Sequence, residues 1–189
     1  MFVWLVPSKD FLLQVVIIFF FSITNNASGL TASNSFFKEF IEDNKATIYK
    51  ICRAYANDAE ELKDFVQEVT IQLWRSHERF ENRSKLSTWV YRVTLNVCLT
   101  LSKKRNRKVD TVSLLSTDYY DAGDEIEKEQ IALLYKGIKR LRESERAIVL
   151  LYLEDKSYKE IAEILGITIT NVGARVNRAK NQLREIING

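Results

Sequence analysis

The sequence predicts an all-α protein made of two small helical domains joined by a flexible linker. Three observations carry that prediction. Residues 31–189 contain no proline, because the one Pro of the 189-residue chain is Pro7, and a long stretch free of the strongest helix breaker favours helices throughout. Apolar residues recur at three-and-four spacing in most segments. The six glycines, Gly29, Gly123, Gly137, Gly166, Gly173 and Gly189, are too scattered for a phosphate-cradling loop or a many-turned β-sandwich. A P-loop or dinucleotide-binding enzyme is thereby excluded. Hydrophobic residues at 46% and charged residues at 28% give the balance of a chain that buries a core rather than stays disordered.

Residues 1–30 differ from the rest. They hold two charges, Lys9 and Asp10, and Phe11 to Ile23 is apolar except for Gln14 and Ser22. Such a run is shorter than the ~20 residues a membrane-spanning helix needs and matches a signal-peptide core in length. Its flanks lack a basic cluster and an A-x-A cleavage pattern. Three readings stand: a signal or membrane anchor, an apolar helix packed on the body, and upstream non-coding sequence read as protein.

The body then reads as successive helices. Residues 36–55 place Phe37, Phe40, Ile41, Ile48, Ile51, Cys52 and Tyr55 on one face, an amphipathic pattern. Asp58, with Glu61 three residues on, has the form of a capping box and opens a second helix to about Trp74 or Arg79, with Leu62, Phe65, Val66, Val69 and Leu73 as core. Residues 80–85 read as a loop. Leu86 to Leu101 form a third helix, followed by five positive charges within residues 103–108, which suit a helix C-terminus and equally suit phosphates. Residues 109–128 are an acidic linker. From Glu125 a helix carries Ile126, Ile131, Leu134, Ile138 and Leu141, and Ser144 is expected to cap the next, Glu145 to Glu154.

The last segment is the most informative. Ser157-Tyr-Lys-Glu160 is a capping box opening a short helix, Gly166 supplies a left-handed stop, and Thr168 or Thr170 caps a final helix to about Ile187. Ala162, Gly166 and Val172 stand at relative positions 0, 4 and 10. A helix-turn-helix needs a small residue where its helices touch, a glycine at the turn, and a branched apolar residue packing the second helix back. Ile161, Leu165, Ile167, Val176, Ala179 and Leu183 complete the inner face. The outer face carries Asn171, Arg175, Asn177, Arg178, Lys180, Asn181 and Arg184, and Arg and Asn can bond guanine and adenine edges bidentately. Charge follows the same division. Residues 31–102 carry 10 basic and 10 acidic side chains, residues 103–129 carry 6 and 7, and residues 130–189 carry 11 and 7.

No catalytic or metal-binding constellation is present in the pattern. Cys52 and Cys98 lie 46 residues apart in apolar helices, so neither a CxxC pair nor a zinc site is available, and buried free thiols are expected. His77 is the only histidine and has no partner for acid-base work. No cofactor and no small-molecule substrate are expected.

Two separated blocks carry a resemblance. Asp64-Phe-Val-Gln-Glu68, Ile71-Gln-Leu-Trp74, Phe80, and Leu86-Ser-Thr-Trp-Val-Tyr-Arg92 through Asn96 resemble region 2 of bacterial sigma factors. Leu141 to Glu185 resembles their region 4. Their order and short connector resemble the extracytoplasmic-function (ECF) group of the sigma-70 family, over about residues 35–187. The domains implied are residues 31–108 for region 2, 109–128 for the linker and 129–189 for region 4.

The resemblance implies a sigma factor that binds core RNA polymerase and recognises minus-10 and minus-35 promoter elements. Asp64, Gln67, Glu68, Ile71, Gln72 and Arg75 would dock on the polymerase, through its β′ clamp helices, with the β subunit as a further contact. Trp74 is divided evenly between that face and the core. Phe80, Asn82 and Asn96 would form the pocket for a flipped minus-10 base, while Arg83, Lys85, Arg92, Lys103, Lys104, Arg105 and Arg107 would hold its backbone. Trp89 is assigned to the core. Gly173, Ala174, Arg175, Asn177, Arg178 and Lys180 would meet the minus-35 element. Gly173 and Ala174 depart from the more polar residues often found there, so close backbone approach is expected at those two. The acidic linker resembles the connector that threads polymerase channels. An anti-sigma factor is a further implied partner.

The competing reading is a stand-alone helix-turn-helix regulator, which would need a ligand or phosphoacceptor domain that residues 35–102 do not suggest. A polymerase subunit works in the cytoplasm, so a start placed too far upstream is preferred for residues 1–30 over tethering through residues 11–23.

Overall fold

The computed structural model describes residues 31–77, Phe80, residues 84–106 and residues 125–188. Seven helices occur among them and no strand. The front module holds α1 (Thr31–Tyr55), α2 (Ala59–His77) and α3 (Leu86–Asn106). The tail module holds α4 (Glu125–Arg140), α5 (Glu143–Leu153), α6 (Tyr158–Leu165) and α7 (Ile169–Asn188). Residues 1–30, with their anchor, packed-helix and upstream-start readings, and most of the acidic linker lie outside the described residues. Residues 125–128, the end of the expected linker, already belong to α4.

Local chemistry sets the helix ends. The Asp58 carboxylate accepts the Glu61 N–H at 2.8 Å, and the Glu61 carboxylate returns to the Asn57 N–H at 2.6 Å. The box therefore closes one residue further back than the simple pattern. At α6, Ser157 and Glu160 close a full capping box, and Gly166 ends the helix at φ 66°. Thr168 rather than Thr170 serves α7, accepting the Asn171 N–H at 3.3 Å.

Ser144 does not cap α5, a correction to the expectation. The helix begins at Glu143, and Arg142 stands at its N-cap without a side-chain bond. Leu141, buried at 4% exposure, pins the chain just before it, so tertiary anchoring overrides the local capping preference. α1 likewise starts five residues before the periodic pattern, and α3 runs on through the basic cluster to Asn106.

In the front module α1, α2 and α3 pack on one another around Phe37, Ile41, Ile48, Cys52, Val66, Val69, Leu73, Val90 and Leu95. The assignment of Val66, Val69 and Leu73 to the core holds. Cys52 and Cys98 are buried free thiols with Sγ atoms 3.8 Å apart, and burial pushes the Cys52 thiol up. The Trp89 ring packs on the core between Phe40 and Phe80. His77 stacks on Trp74 and its Nδ1–H donates to the Trp74 carbonyl, a structural use of the ring. Trp74 itself packs edge-on against Phe37 at 4.8 Å.

In the tail module α7 lies across α4, α5 and α6. Ile148, Leu151, Ile161, Val172, Val176 and Ala179 form its interior. The modules also touch each other, α3 against α6 and α1 against α4. Arg146 of α5 is buried and gathers carbonyls from helix ends on both sides: Ala54 at 3.3 Å, Lys139 at 2.5 Å and Leu141 at 3.2 Å. A cation over the negative ends of helices is favourable, which offsets part of the cost of burying the charge.

Candidate nucleic-acid and polymerase interfaces

The outward side of α2 carries a largely polar face. Asp64, Gln67 and Arg75 are exposed, and Glu68, Ile71 and Gln72 are half-buried. Gln72 donates to Glu68 at 2.8 Å, which fixes both side chains one turn apart. Asp64, Gln67, Glu68 and Ile71 line a groove of about 670 Å³ closed on its far side by Leu101, Lys104 and Arg105 of α3. A half-buried apolar centre flanked by hydrogen-bonding groups is the anatomy of a protein docking site.

The groups expected at the minus-10 element are only partly brought together. Asn82, Arg83 and Arg107 lie outside the described residues. Phe80 is half-buried with its ring 5.1 Å from Trp89. Lys85, Asn96, Lys103 and Lys104 are exposed. Asn96 shares a smaller groove of about 210 Å³ with Glu68, Gln72 and Thr100, so it borders the α2 face.

Two of the expected backbone cations have protein partners. Arg105 bonds both Glu61 carboxylate oxygens at 2.7 Å and the Tyr55 carbonyl at 3.1 Å, stapling α3 to the α1–α2 junction. Arg92 donates through Nε and Nη2 to the Glu163 carbonyl, at 3.2 Å from Nε, on the neighbouring module.

The tail presents the other face. Ala174, Asn177, Arg178 and Lys180 are exposed on α7, while Gly173 and Arg175 are half-buried. Arg175 donates to Asn171 at 2.9 Å, and the Lys180 ammonium sits 5.0 Å over the Tyr152 ring. A Cβ on Gly173 would meet the Tyr158 ring at 3.5 Å. That is ordinary contact, and Tyr158, 39% exposed at the start of α6, lies beside Gly173. Tyr158 was not singled out from the sequence, although its place directly after the Ser157 cap was the available signal. In a helix-turn-helix the first helix crosses the DNA backbone while the second enters the groove, and Tyr158 stands on the first helix beside the exposed face of α7.

A helical front module with a polar docking face, followed by a helix-turn-helix with outward Arg and Asn, defines a DNA-reading protein that also engages a protein partner. Sigma-70 region 2 matches residues 40–108, and Sigma-70, region 4 matches residues 131–183. The ECF RNA polymerase sigma-E factor of Haemophilus influenzae is 30% identical over 141 residues, 67% of this chain and 75% of that one. The ECF sigma factor SigW of Bacillus subtilis is 27% identical over 165 residues, 79% of this chain and 87% of that one. Among solved structures, the sigma factor RpoE in complex with the anti-sigma factor NepR from Bartonella quintana superposes with a TM-score of 0.67 at 21% identity, over 80% of this chain and 96% of that one. CnrH in complex with the cytosolic domain of CnrY gives 0.60 at 16% identity, over 94% and 95%.

The chain belongs to the ECF group of the sigma-70 family of RNA polymerase sigma factors. Its function is promoter-specific transcription initiation.

Proposed function

We propose that the chain acts as a non-catalytic specificity subunit in which α2 docks on core RNA polymerase, the front module holds the melted minus-10 element, and α7 reads the minus-35 duplex. The division assigned is residues 31–108 for the front module, 109–124 for the connector and 125–189 for the tail, since α4 begins at Glu125. The observation that carries the reading is the pairing, in one chain, of the α2 groove with an exposed Arg and Asn face on α7. A stand-alone regulator has no use for the first of these, and both sigma regions match in order.

Asp64, Gln67, Glu68, Ile71, Gln72 and Arg75 are assigned to the β′ clamp helices, with the β subunit as a further contact. Phe80, Asn82 and Asn96 are assigned to the minus-10 base, and Arg83, Lys85, Arg92, Lys103, Lys104 and Arg107 to its backbone. Arg105 is bound to Glu61 and contributes through the position of α3. Gly173, Ala174, Arg175, Asn177, Arg178 and Lys180 are assigned to the minus-35 element, with Tyr158 at its edge. The work is done in the cytoplasm, and among the described residues no helix is long and apolar enough to cross a membrane. One solved relative above was captured with an anti-sigma factor, and a partner of that kind is expected here.

The test is co-elution with core polymerase. Ile71→Ala together with Gln67→Ala removes the apolar centre and a flanking polar group without touching the core. Loss of binding by about tenfold or more, the scale of a truncated interface anchor, is expected, with helicity unchanged. Undiminished binding would overturn the α2 assignment.

A further inference from the structure

Lys139, near the C-terminal end of α4, is a half-buried cation. Among the described residues no hydrogen bond or ion pair engages its Nζ, whereas its carbonyl accepts Arg146 Nη2 at 2.5 Å. Three guanidiniums surround it. Arg53 of α1 lies 4.1 Å over the ring of Tyr135, which precedes Lys139 by one turn on the same face of α4. Arg146 of α5 also bonds the Ala54 carbonyl, and Arg105 of α3 bonds the carbonyl of Tyr55, the next residue. The carboxylates set against these cations are Glu61 of α2, already bonded by Arg105 through both oxygens at 2.7 Å, and Glu143 at the start of α5. Positive charge from four helices is therefore in excess at Lys139.

Such surroundings give the amine two properties. The first is nucleophilicity, because a lysine desolvated beside other cations is activated by loss of its proton. Burial first, then the Arg53 and Arg146 charges, and last Arg105, push the ammonium down to about 8, with Glu61 opposing them. At about pH 7.5 roughly one-quarter of an amine of that basicity is unprotonated, against about 0.1% of an ordinary lysine. A weaker base attacks more slowly, by roughly tenfold at the slope of about 0.4–0.5 known for thiolates, so a net advantage of about tenfold is left. The second property is selectivity. Guanidiniums match phosphate in charge and in the geometry of their donors, so a donor whose leaving group is a phosphate is drawn to this amine over a neutral one.

We propose that Lys139 is an acylation site whose donor is a small acyl phosphate, its phosphate drawn by the guanidiniums of Arg53, Arg105 and Arg146 and its acyl carbon presented to Nζ. The Nζ lone pair attacks the carbonyl carbon and forms the amide bond. The bond from that carbon to the bridging oxygen breaks, and phosphate leaves with the electron pair and takes up the proton shed by nitrogen. The product amide is neutral, so one like charge is removed from the cluster. Lys139 and Arg53 belong to neither the promoter face nor the polymerase face assigned above, and the modification is independent of those assignments.

The test treats the full wild-type chain with acetyl phosphate at about pH 7.5 and follows each lysine by peptide mass spectrometry. Lys136, exposed on the same helix, is the internal reference. Lys139 is expected to acetylate about tenfold faster than Lys136, and to lose that lead when the chain is denatured. Inorganic phosphate, added at matched ionic strength, is expected to slow Lys139 by about threefold or more and to leave Lys136 unchanged. Arg53→Gln, checked for helicity by circular dichroism, is expected to slow Lys139 by about threefold or more as well. Equal rates at the two lysines in the folded chain, or no competition by phosphate, would overturn the proposal, and neither result depends on a variant that folds. An unslowed and fully helical Arg53→Gln would overturn it too.

Discussion

Arg178 and Arg175 sit on the same helix and are not equivalent. Arg178 is exposed, whereas Arg175 is half-buried and already bonded to Asn171 at 2.9 Å. Arg178→Ala is therefore expected to weaken binding to the minus-35 duplex by about 1–3 kcal/mol, with a much smaller loss on scrambled duplex. Equal loss on both, in titrations at matched salt, would make it a phosphate contact. Lys139 offers a different kind of residue-scale test. Burial first, and then the neighbouring Arg53 and Arg146 charges, push its ammonium down to about 8 from 10.5. Between those two values the unfolded chain holds a proton that the folded chain has released, so stability rises with pH across that window and the cost is constant below it. Above about pH 9 the Cys52 thiol, pushed up by burial, stays protonated while the unfolded thiol ionises, which offsets the climb, and above about pH 10 the buried phenols of Tyr55, Tyr91 and Tyr135 do the same, so the sign reverses. The melting temperature is expected to climb from pH 8 to about 9, level off, and fall above about 10. Lys139→Met should flatten the climb, and an unaltered climb would show that Lys139 does not cause it.

At the scale of elements, the helix-turn-helix is held by its ends. Ser157→Ala removes the oxygen that accepts the Glu160 N–H and is expected to cost about 1 kcal/mol. Gly166→Ala meets no neighbour within 4 Å, so its cost is that of a left-handed backbone alone, about 1–2 kcal/mol. Thermal melts of the full chain measure both, and a neutral Gly166→Ala would contradict the strained turn. These same elements were the ones legible in the sequence. Ser157 and Glu160, Asp58 and Glu61, and Thr168 and Asn171 are each three residues apart, so their chemistry is written locally. The misjudged Ser144 was overridden by the burial of Leu141. Arg105 with Glu61 and Lys50 with Glu154 were illegible for the opposite reason, being 44 and 104 residues apart. No periodicity distinguishes a cation aimed at DNA from one aimed at a distant carbonyl or carboxylate, and Arg105 shows the consequence. The outward faces of α2 and α7 were legible because periodicity fixes which side of a helix is left over once the core is assigned. The contact between modules was not, because it joins residues from both ends of the body.

For the whole molecule, the formal charge of +3 conceals a division of labour. In the proposed reading, a front module with balanced charge meets protein and melted strand, and a basic tail meets duplex. Neither face alone accounts for the other's chemistry, and only a protein held between polymerase and promoter uses both. The most direct measurement of that claim is transcription in vitro, with core polymerase, the full chain and a supercoiled template library carrying candidate promoters. The account predicts discrete transcripts that depend on the chain, start at fixed positions, and are diminished by Ile71→Ala with Gln67→Ala or by Arg178→Ala. Absence of a stable complex with core polymerase at low salt, together with no chain-dependent start site, would contradict it.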